Sequence, residues 1–252
     1  METQEASTSC AVAPGTVAPG TGRGSPLDDL HAEFQRLLRA AAHDLSAPAR
    51  HITGFGGLLA ESLGPDLPTS DAGHLRRMFE AATRLDAIVV GLRRYSETLA
   101  PLRLERVDAD AVARGVLARM GTGLQESGAR VTIAEPLPCV RADRARLGEV
   151  VAELIDNGVA HRGQTPPEVS LHALRAEDLW RFEIRSNGAP IPEDLREAVF
   201  APFRTLRSDA PRERVGLGLA LCRRALARMG GSIWAESGAA QGNTFCFTLP
   251  VS

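Results

Sequence analysis

Residues 27–63 read LDDLHAEFQRLLRAAAHDLSAPARHITGFGGLLAESL, and their apolar spacing decides the architecture. Leu30, Phe34, Leu37, Ala41, Leu45, Ile52, Phe55 and Leu59 recur at steps of mostly three and four, the period that sets them in one stripe along a helix. Gly64-Pro65-Asp66-Leu67-Pro68 then supplies a turn, and Ser70 or Asp71 can cap a second helix. That helix carries Leu75, Met78, Ala82, Leu85, Val89 and Leu92 at the same spacing. Two long amphipathic helices with a short connection form an antiparallel hairpin, which alone leaves part of each stripe in water. A second copy supplies the missing surface, so the expected assembly is a homodimer built on a four-helix bundle.

Upstream, residues 1–26 are rich in Ala, Pro, Gly, Ser and Thr and repeat Val-Ala-Pro-Gly-Thr. They hold too little apolar surface to offset the entropy of ordering, and are expected to form a disordered tail. Downstream of Pro101 the pattern changes to short alternating segments. Strands are predicted at 130–133, 169–174, 180–186, 232–236 and 244–249, and helices at about 109–120, 143–161 and 217–229. The mixture predicts an α+β chain: a hairpin over 27–100, then an α/β sandwich over 101–252 with one mostly antiparallel sheet covered by helices.

Composition narrows the function. The 252 residues carry a formal charge of −2, and all 29 Lys+Arg positions are arginine. No global field therefore recruits nucleic acid or an anionic membrane, and lysine chemistry such as a Schiff base or a P-loop lysine is excluded. No apolar run approaches the ~20 residues of a membrane span, and the N-terminus lacks a signal-peptide pattern. Cys10, Cys139, Cys222 and Cys246 are scattered without a C-x-x-C pair, which argues against a disulfide framework or a zinc site and points to a cytoplasmic setting.

Chemistry concentrates at Ala42-His43-Asp44-Leu45-Ser46-Ala47-Pro48. His43, flanked by the stripe positions Ala41 and Leu45, is expected to face solvent. A neutral imidazole is a nucleophile, and Asp44 would hold the proton of its other ring nitrogen. Pro48 lacks an N–H, so the carbonyl of Asp44 loses its helical partner and the helix can kink beyond the histidine. A lone surface histidine is usually inert; the His-Asp-x-x-x-Pro pattern on a dimerising hairpin is what argues for function.

These residues resemble the phosphoacceptor box of sensor histidine kinases, closest in flavour to bacteriophytochrome-associated kinases. The resemblance continues through Gly54-Phe55, Ala81-Ala82-Thr83-Arg84-Leu85 and Arg94-Tyr95-Ser96. In the second part, Glu153-Leu154-Ile155-Asp156-Asn157-Gly158 resembles the N box of that superfamily. Ser186-Asn187-Gly188-Ala189-Pro190-Ile191 is similar to the first glycine box, and Phe200-Ala201-Pro202-Phe203-Arg204 to the F box. Gly216-Leu217-Gly218-Leu219-Ala220-Leu221-Cys222 is similar to the second glycine box, and 230–245 to the closing strands. The boxes are colinear over about 33–250.

The resemblance implies an ATP-binding domain with Mg²⁺, attack of His43 on the γ-phosphorus, and transfer to an aspartate of a response regulator receiver domain. It implies Asn157 and Glu153 as metal ligands, and Ser186, Gly188, Arg214, Gly216 and Gly218 as further nucleotide contacts. Arg204, Arg207, Arg212 and Arg214 form either a cationic lid or a solvated loop. No sensor domain is encoded in these residues, so the signal is expected from an upstream sensor protein in trans.

The sequence departs from the family pattern where the base should bind. Ser186 stands where the box opens with an adenine-binding aspartate, and Pro190 replaces its second glycine. Arg214 replaces the first glycine of the second box, Ala160 the lysine after the N box, and Glu153 its first asparagine. Losing one charge-assisted hydrogen bond of ~1.5–3 kcal/mol weakens binding about ten- to a hundredfold. Two readings therefore stand: a kinase that phosphorylates itself on His43 from ATP, and an ATP-incompetent phosphotransfer or adaptor protein relaying phosphate between receiver domains through His43. A regulatory ATPase using Glu153 is a third, more distant reading.

Overall fold

The computed structural model describes residues 26–64, 69–161, 165–205, 215–237 and 242–252. The tail expected at 1–26 lies outside the described residues except for Pro26, which already belongs to the first helix. Helices α1 (Pro26–Leu63) and α2 (Thr69–Glu97) form the hairpin. Their shared seam is made of small residues: Ala42, Ala49 and Gly56 from α1, and Ala82, Val89 and Ser96 from α2, all buried and seven residues apart within each helix. A seven-residue period is the mark of a coiled-coil seam. A Cβ on Gly56 would meet Met78 Cε at 2.6 Å, so the helices touch closely there.

The large apolar stripe lies elsewhere. Leu37, Leu45, Ile52, Phe55, Leu58 and Leu59 are exposed in the single chain. The stripe that predicted the hairpin is thus largely not the surface that closes it. Small residues close the hairpin, because they let two backbones approach, and most of the large side chains on α1 remain open.

The remaining strands are β1 (Glu105–Asp108), β2 (Arg130–Ile133), β3 (Cys139–Ala142), β4 (Glu168–Ala176), β5 (Leu179–Ser186), β6 (Ile233–Ser237) and β7 (Asn243–Pro250). The helices are α3 (Ala109–Ser127), α4 (Arg144–Ala160) and α5 (Gly218–Arg228), with short 3₁₀ turns at Glu193–Leu195 and Ala198–Phe200. Five strands form one sheet in the order β2-β4-β5-β7-β6, antiparallel except for the parallel pair β2-β4. Strands β1 and β3 make a separate antiparallel pair.

Alternation along the strands sorts their side chains. Val169, Leu171, Phe182, Ile184, Ile233, Ala235, Phe245, Phe247 and Leu249 point to the helices and join Val112, Val116, Leu147, Leu154 and Leu226 in one core. Phe182 and Phe247 stack at its centre, 4.7 Å between ring centroids. The other face is polar: Glu183 binds Arg181 at 2.9 Å and Arg185 at 2.6 Å, and Arg181 also reaches Glu236 at 2.8 Å. Trp180 packs on the core side as expected, whereas Trp234 does not. Period two places Trp234 on the polar face, where its indole N–H donates to Glu236 and Arg181 lies over its ring.

Other details differ from the sequence reading. Strands β1 and β3 were not predicted, since four residues with one arginine each show too little alternation. Helix α3 runs past Gly121 and Gly123 and stops at Gly128, whose φ of 65° and N–H bonds to Leu124 and Gln125 make a left-handed cap. Cys139, Cys222 and Cys246 are free thiols, and Cys10 lies outside the described residues. Burial pushes the Cys246 thiol up to about 12, so it stays protonated. No helix among the described residues is long and apolar enough to cross a membrane.

Candidate functional site

His43 stands on α1 one residue past the seam position Ala42, so its side chain points away from α2 and is 89% exposed. Its Nδ1 lies 3.2 Å from Asp44 Oδ1. A carboxylate only accepts, so Nδ1 carries the proton and the lone pair of Nε2 remains on the solvent side. Helix α1 continues through Pro48; Ser46 donates to the carbonyl of Ala42 at 2.8 Å and Thr53 to that of Ala49.

The second place where functional side chains gather is a cavity of about 620 Å³ between α2, α4 and the start of α5. That volume suits a ligand of nucleotide size. Asp143 starts α4 by accepting from the backbone of Ala145 and Arg146, each at 3.1 Å. From there the helix carries Glu153, Asp156 and Asn157 to the cavity wall and ends at His161. Asn157 is nine-tenths buried, yet its Nδ2 has no hydrogen-bond partner among the described residues. A buried, unpaired amide is costly in a finished protein interior and is expected where a ligand completes the site.

Two glycines shape the opposite wall. Gly216 has φ 71°, and a Cβ there would lie 2.3 Å from the carbonyl oxygen of Arg204; only glycine fits. A Cβ on Gly218 would lie 1.6 Å from Glu153 Oε1, so that carboxylate rests against the first residue of α5. Ser186, at the end of β5, lines the far end of the cavity with Ala189, Pro190 and Ile191. Among the described residues its hydroxyl reaches only the carbonyl of Asn243, at 3.4 Å. Gly188 is buried in the turn after β5, whereas Arg214, like Arg207 and Arg212, falls outside the described residues.

The cavity thus brings together Glu153, Asn157, Ser186, Gly216 and Gly218 from among the residues singled out by sequence, while His43 and Asp44 sit apart on the hairpin. Three contributors were not foreseen. Asn243 accepts from the N–H of Ile191 at 2.7 Å and donates to the carbonyl of Ala189, fixing the turn that walls the cavity; a lone amide opening an otherwise apolar strand was its signal. Arg94 of α2 donates to Glu153 Oε2 at 3.3 Å. Asp86 adds a carboxylate from α2. Nothing in local sequence brings α2 to this wall.

The contact between the hairpin and the sandwich is built from arginines of α4 and α5 that close on the C-terminal end of α2. Arg146 donates to the carbonyl of Glu97 at 2.7 Å, Arg224 to the Tyr95 hydroxyl at 2.8 Å, and Arg228 to the carbonyls of Thr98 and Ala100. Cations at a helix C-terminus meet its free carbonyls and its dipole. Burial, with Arg224 and Arg146 close by, lowers the Arg228 guanidinium from its ordinary range.

Comparison with known proteins follows the same division. Residues 142–252 match the family described as Histidine kinase-, DNA gyrase B-, and HSP90-like ATPase, whose members have capacity for ATP and Mg²⁺. The chain is 26% identical over 226 residues to Phytochrome-like protein Cph1 of Synechocystis, covering 89% of this chain and 30% of that protein; it therefore spans less than a third of that curated relative. The catalytic domain of histidine kinase ThkA superposes with a TM-score of 0.52 at 25% identity, over 59% of this chain and 96% of that one. Histidine kinase ThkA, solved in complex with response regulator protein TrrA, gives 0.61 at 22% identity over 89% of this chain and 64% of that one, a likeness of fold.

The residues present fit nucleotide and Mg²⁺ at the phosphate end, where Gly216 and Gly218 flank the start of α5 and the buried Asn157 amide lacks a partner, and less well at the base end, where Ser186 offers no charge. Hairpin, sandwich and box order agree with a histidine-kinase core: residues 142–252 carry the match to this ATPase family, and the chain as a whole is related to phytochrome-associated and other sensor kinases.

Proposed function

We propose that this chain works as an autophosphorylating histidine kinase, taking the γ-phosphoryl group of ATP onto His43 and passing it to an aspartate of a response regulator receiver domain. The observation that carries this reading is one chain holding both an exposed imidazole oriented by Asp44 and a nucleotide-sized cavity with a buried, unpartnered Asn157. In the transfer, Nε2 forms the N–P bond as the bond from phosphorus to the bridging oxygen of ADP breaks, and Asp44 stabilises the imidazolium through Nδ1–H. Phosphoryl transfer needs mainly positioning and charge stabilisation. When bound, Mg²⁺ neutralises phosphate charge, and Asn157 would offer its carboxamide oxygen as ligand. The amides of Gly216 and Gly218 would face phosphate oxygens, with Ser186 and Gly188 at the base end.

In this proposal residues 27–100 form the dimerisation and phosphoacceptor unit, 101–252 the nucleotide unit, and the open apolar face of α1 pairs with a second copy. A second reading, phosphotransfer without ATP, is favoured by one specific feature: Ser186 and Pro190 replace a charged acceptor and a flexible glycine at the base end.

Incubation with γ-labelled ATP and Mg²⁺, beside His43→Ala, tests both. Label on the wild type and none on His43→Ala is expected. No label from ATP, with label accepted from a phosphorylated receiver domain, would replace the kinase by the phosphotransfer reading; label from neither donor rejects both. Ser186→Asp is expected to tighten ATP binding about ten- to a hundredfold by restoring a charge-assisted acceptor, measured by calorimetric titration.

A further inference from the structure

Glu153 does more than line the cavity. Its Oε1 lies against the first residue of α5, at 1.6 Å from where a Cβ on Gly218 would stand, and its Oε2 accepts from Arg94 of α2 at 3.3 Å. Helix α5 has eleven residues, and Leu217 at its N-cap makes no side-chain cap hydrogen bond. A helix start without its own cap attracts an anion, and the Glu153 carboxylate of α4 is the anion that stands beside this one. The same wall holds the buried Asn157 amide, which lacks a partner and opens on the cavity. Next in sequence, Leu217 presses on α2: a Cβ on Gly91 would lie 2.3 Å from Leu217 Cδ1. One carboxylate and one leucine at the start of α5 therefore grip α2 at Arg94 and Gly91.

We propose that the Glu153 carboxylate is a built-in occupant of the phosphate seat at the start of α5, and that a nucleotide must eject it, releasing Arg94 and loosening α2 from the sandwich. The inference rests on the nucleotide reading above. Two anions cannot share one helix start without repulsion, so phosphate and Glu153 compete for it. Once displaced, Glu153 no longer holds the Arg94 guanidinium. Leu217 moves with the start of α5, so its contact with Gly91 loosens too. Nucleotide binding and docking of the hairpin thus oppose one another through a single side chain. The reading differs from a metal-ligand role for Glu153, which would make this carboxylate help the nucleotide bind.

The test uses the full chain, with Mg·AMPPNP as probe. Glu153→Gln keeps the shape and removes the charge; it is expected to bind the probe about tenfold tighter than wild type in calorimetric titration. Amide hydrogen exchange reads the docking. In wild type the probe is expected to speed exchange over 83–97, whereas Glu153→Gln shows fast exchange before any ligand and little change after it. Arg94→Gln, which leaves the cavity wall of α4 untouched, is expected to show the same raised exchange without ligand. Equal or weaker binding by Glu153→Gln, or exchange over 83–97 that ignores the probe, overturns the inference while leaving the nucleotide reading standing. Failure of wild type and Glu153→Gln alike to bind the probe overturns both.

Discussion

The hairpin and the sandwich solve the problem of burial in opposite ways. The sandwich closes on itself: large side chains from four helix-facing strands and three helices meet in one core, with Phe200, Phe247, Leu154 and Ile155 almost without exposure. In the hairpin the buried positions are alanines, two glycines, a valine and a serine, while Leu37, Phe55 and Leu58 keep 62%, 70% and 62% of their surface. Exposed apolar surface on this scale marks an interaction face. The sandwich buries its own large apolar side chains; the hairpin leaves an apolar face open, which on our proposal pairs with a second copy. His43, the proposed phosphoacceptor, sits on the hairpin with its open face, and the cavity lies where α2 meets the closed sandwich, so anything that moves the hairpin reaches His43 and one cavity wall without disturbing the core of the sandwich.

The contrast breaks most visibly at the centre of the sandwich. Phe247→Ala removes the ring stacked on Phe182, and should cost about 3–5 kcal/mol in denaturant unfolding followed by Trp180 and Trp234 fluorescence. A much smaller loss would mean that the sandwich also leans on the hairpin. Next in size, Ile52→Glu with Leu59→Glu places charge on the open face of α1. Self-association measured by sedimentation should weaken at least about a hundredfold, with the fluorescence-detected unfolding of the sandwich unchanged. A dimer that survives would move the partner surface elsewhere. Smaller still, Ala49→Leu overfills the seam where backbones touch, and should lower hairpin stability by about 1–3 kcal/mol, read from helical circular dichroism on heating. Unchanged melting would show a seam with room to spare.

Much of this division was legible in the chain. The five main strands and the helices of the sandwich follow from alternation and from stops such as Gly230-Gly231, because period and capping are local. Glu153, Asn157, Ser186, Gly216 and Gly218 were found by their order, and the fold brings them to one cavity. What sequence could not give was nonlocal. The seam of Ala42, Ala49 and Gly56 was hidden behind the louder leucine stripe, since apolar spacing weights large residues and close approach demands small ones. Arg94, Asp86 and Asn243 reach the cavity only through the docking of α2 and the return of β7. The arginines Arg146, Arg224 and Arg228 are spread over two helices and converge only where α2 ends.

The smallest effect probes the joint between the two regions. Asp143 accepts from Arg103 N at 2.9 Å in the linker as well as from Ala145 and Arg146 at the start of α4, so one carboxylate both starts the N-box helix and pins the chain leaving the hairpin. Burial alone would raise its pKa, but the N–H groups of Arg103, Arg146 and Ala145 and the Arg146 charge outweigh burial, and the folded value lies below the ordinary carboxylate range. A carboxyl depressed in the folded state contributes stability above its unfolded value of about 3.9, and that contribution fades as pH falls through the folded value. Asp143→Ala should cost about 0.5–2 kcal/mol at neutral pH. Asp143→Asn retains a capping oxygen without the charge, so the stability difference between wild type and Asp143→Asn should stay flat above about pH 5 and shrink below about pH 4. A difference that does not change with pH over this interval would show that the carboxylate caps α4 only by shape, and that the linker is held by other contacts.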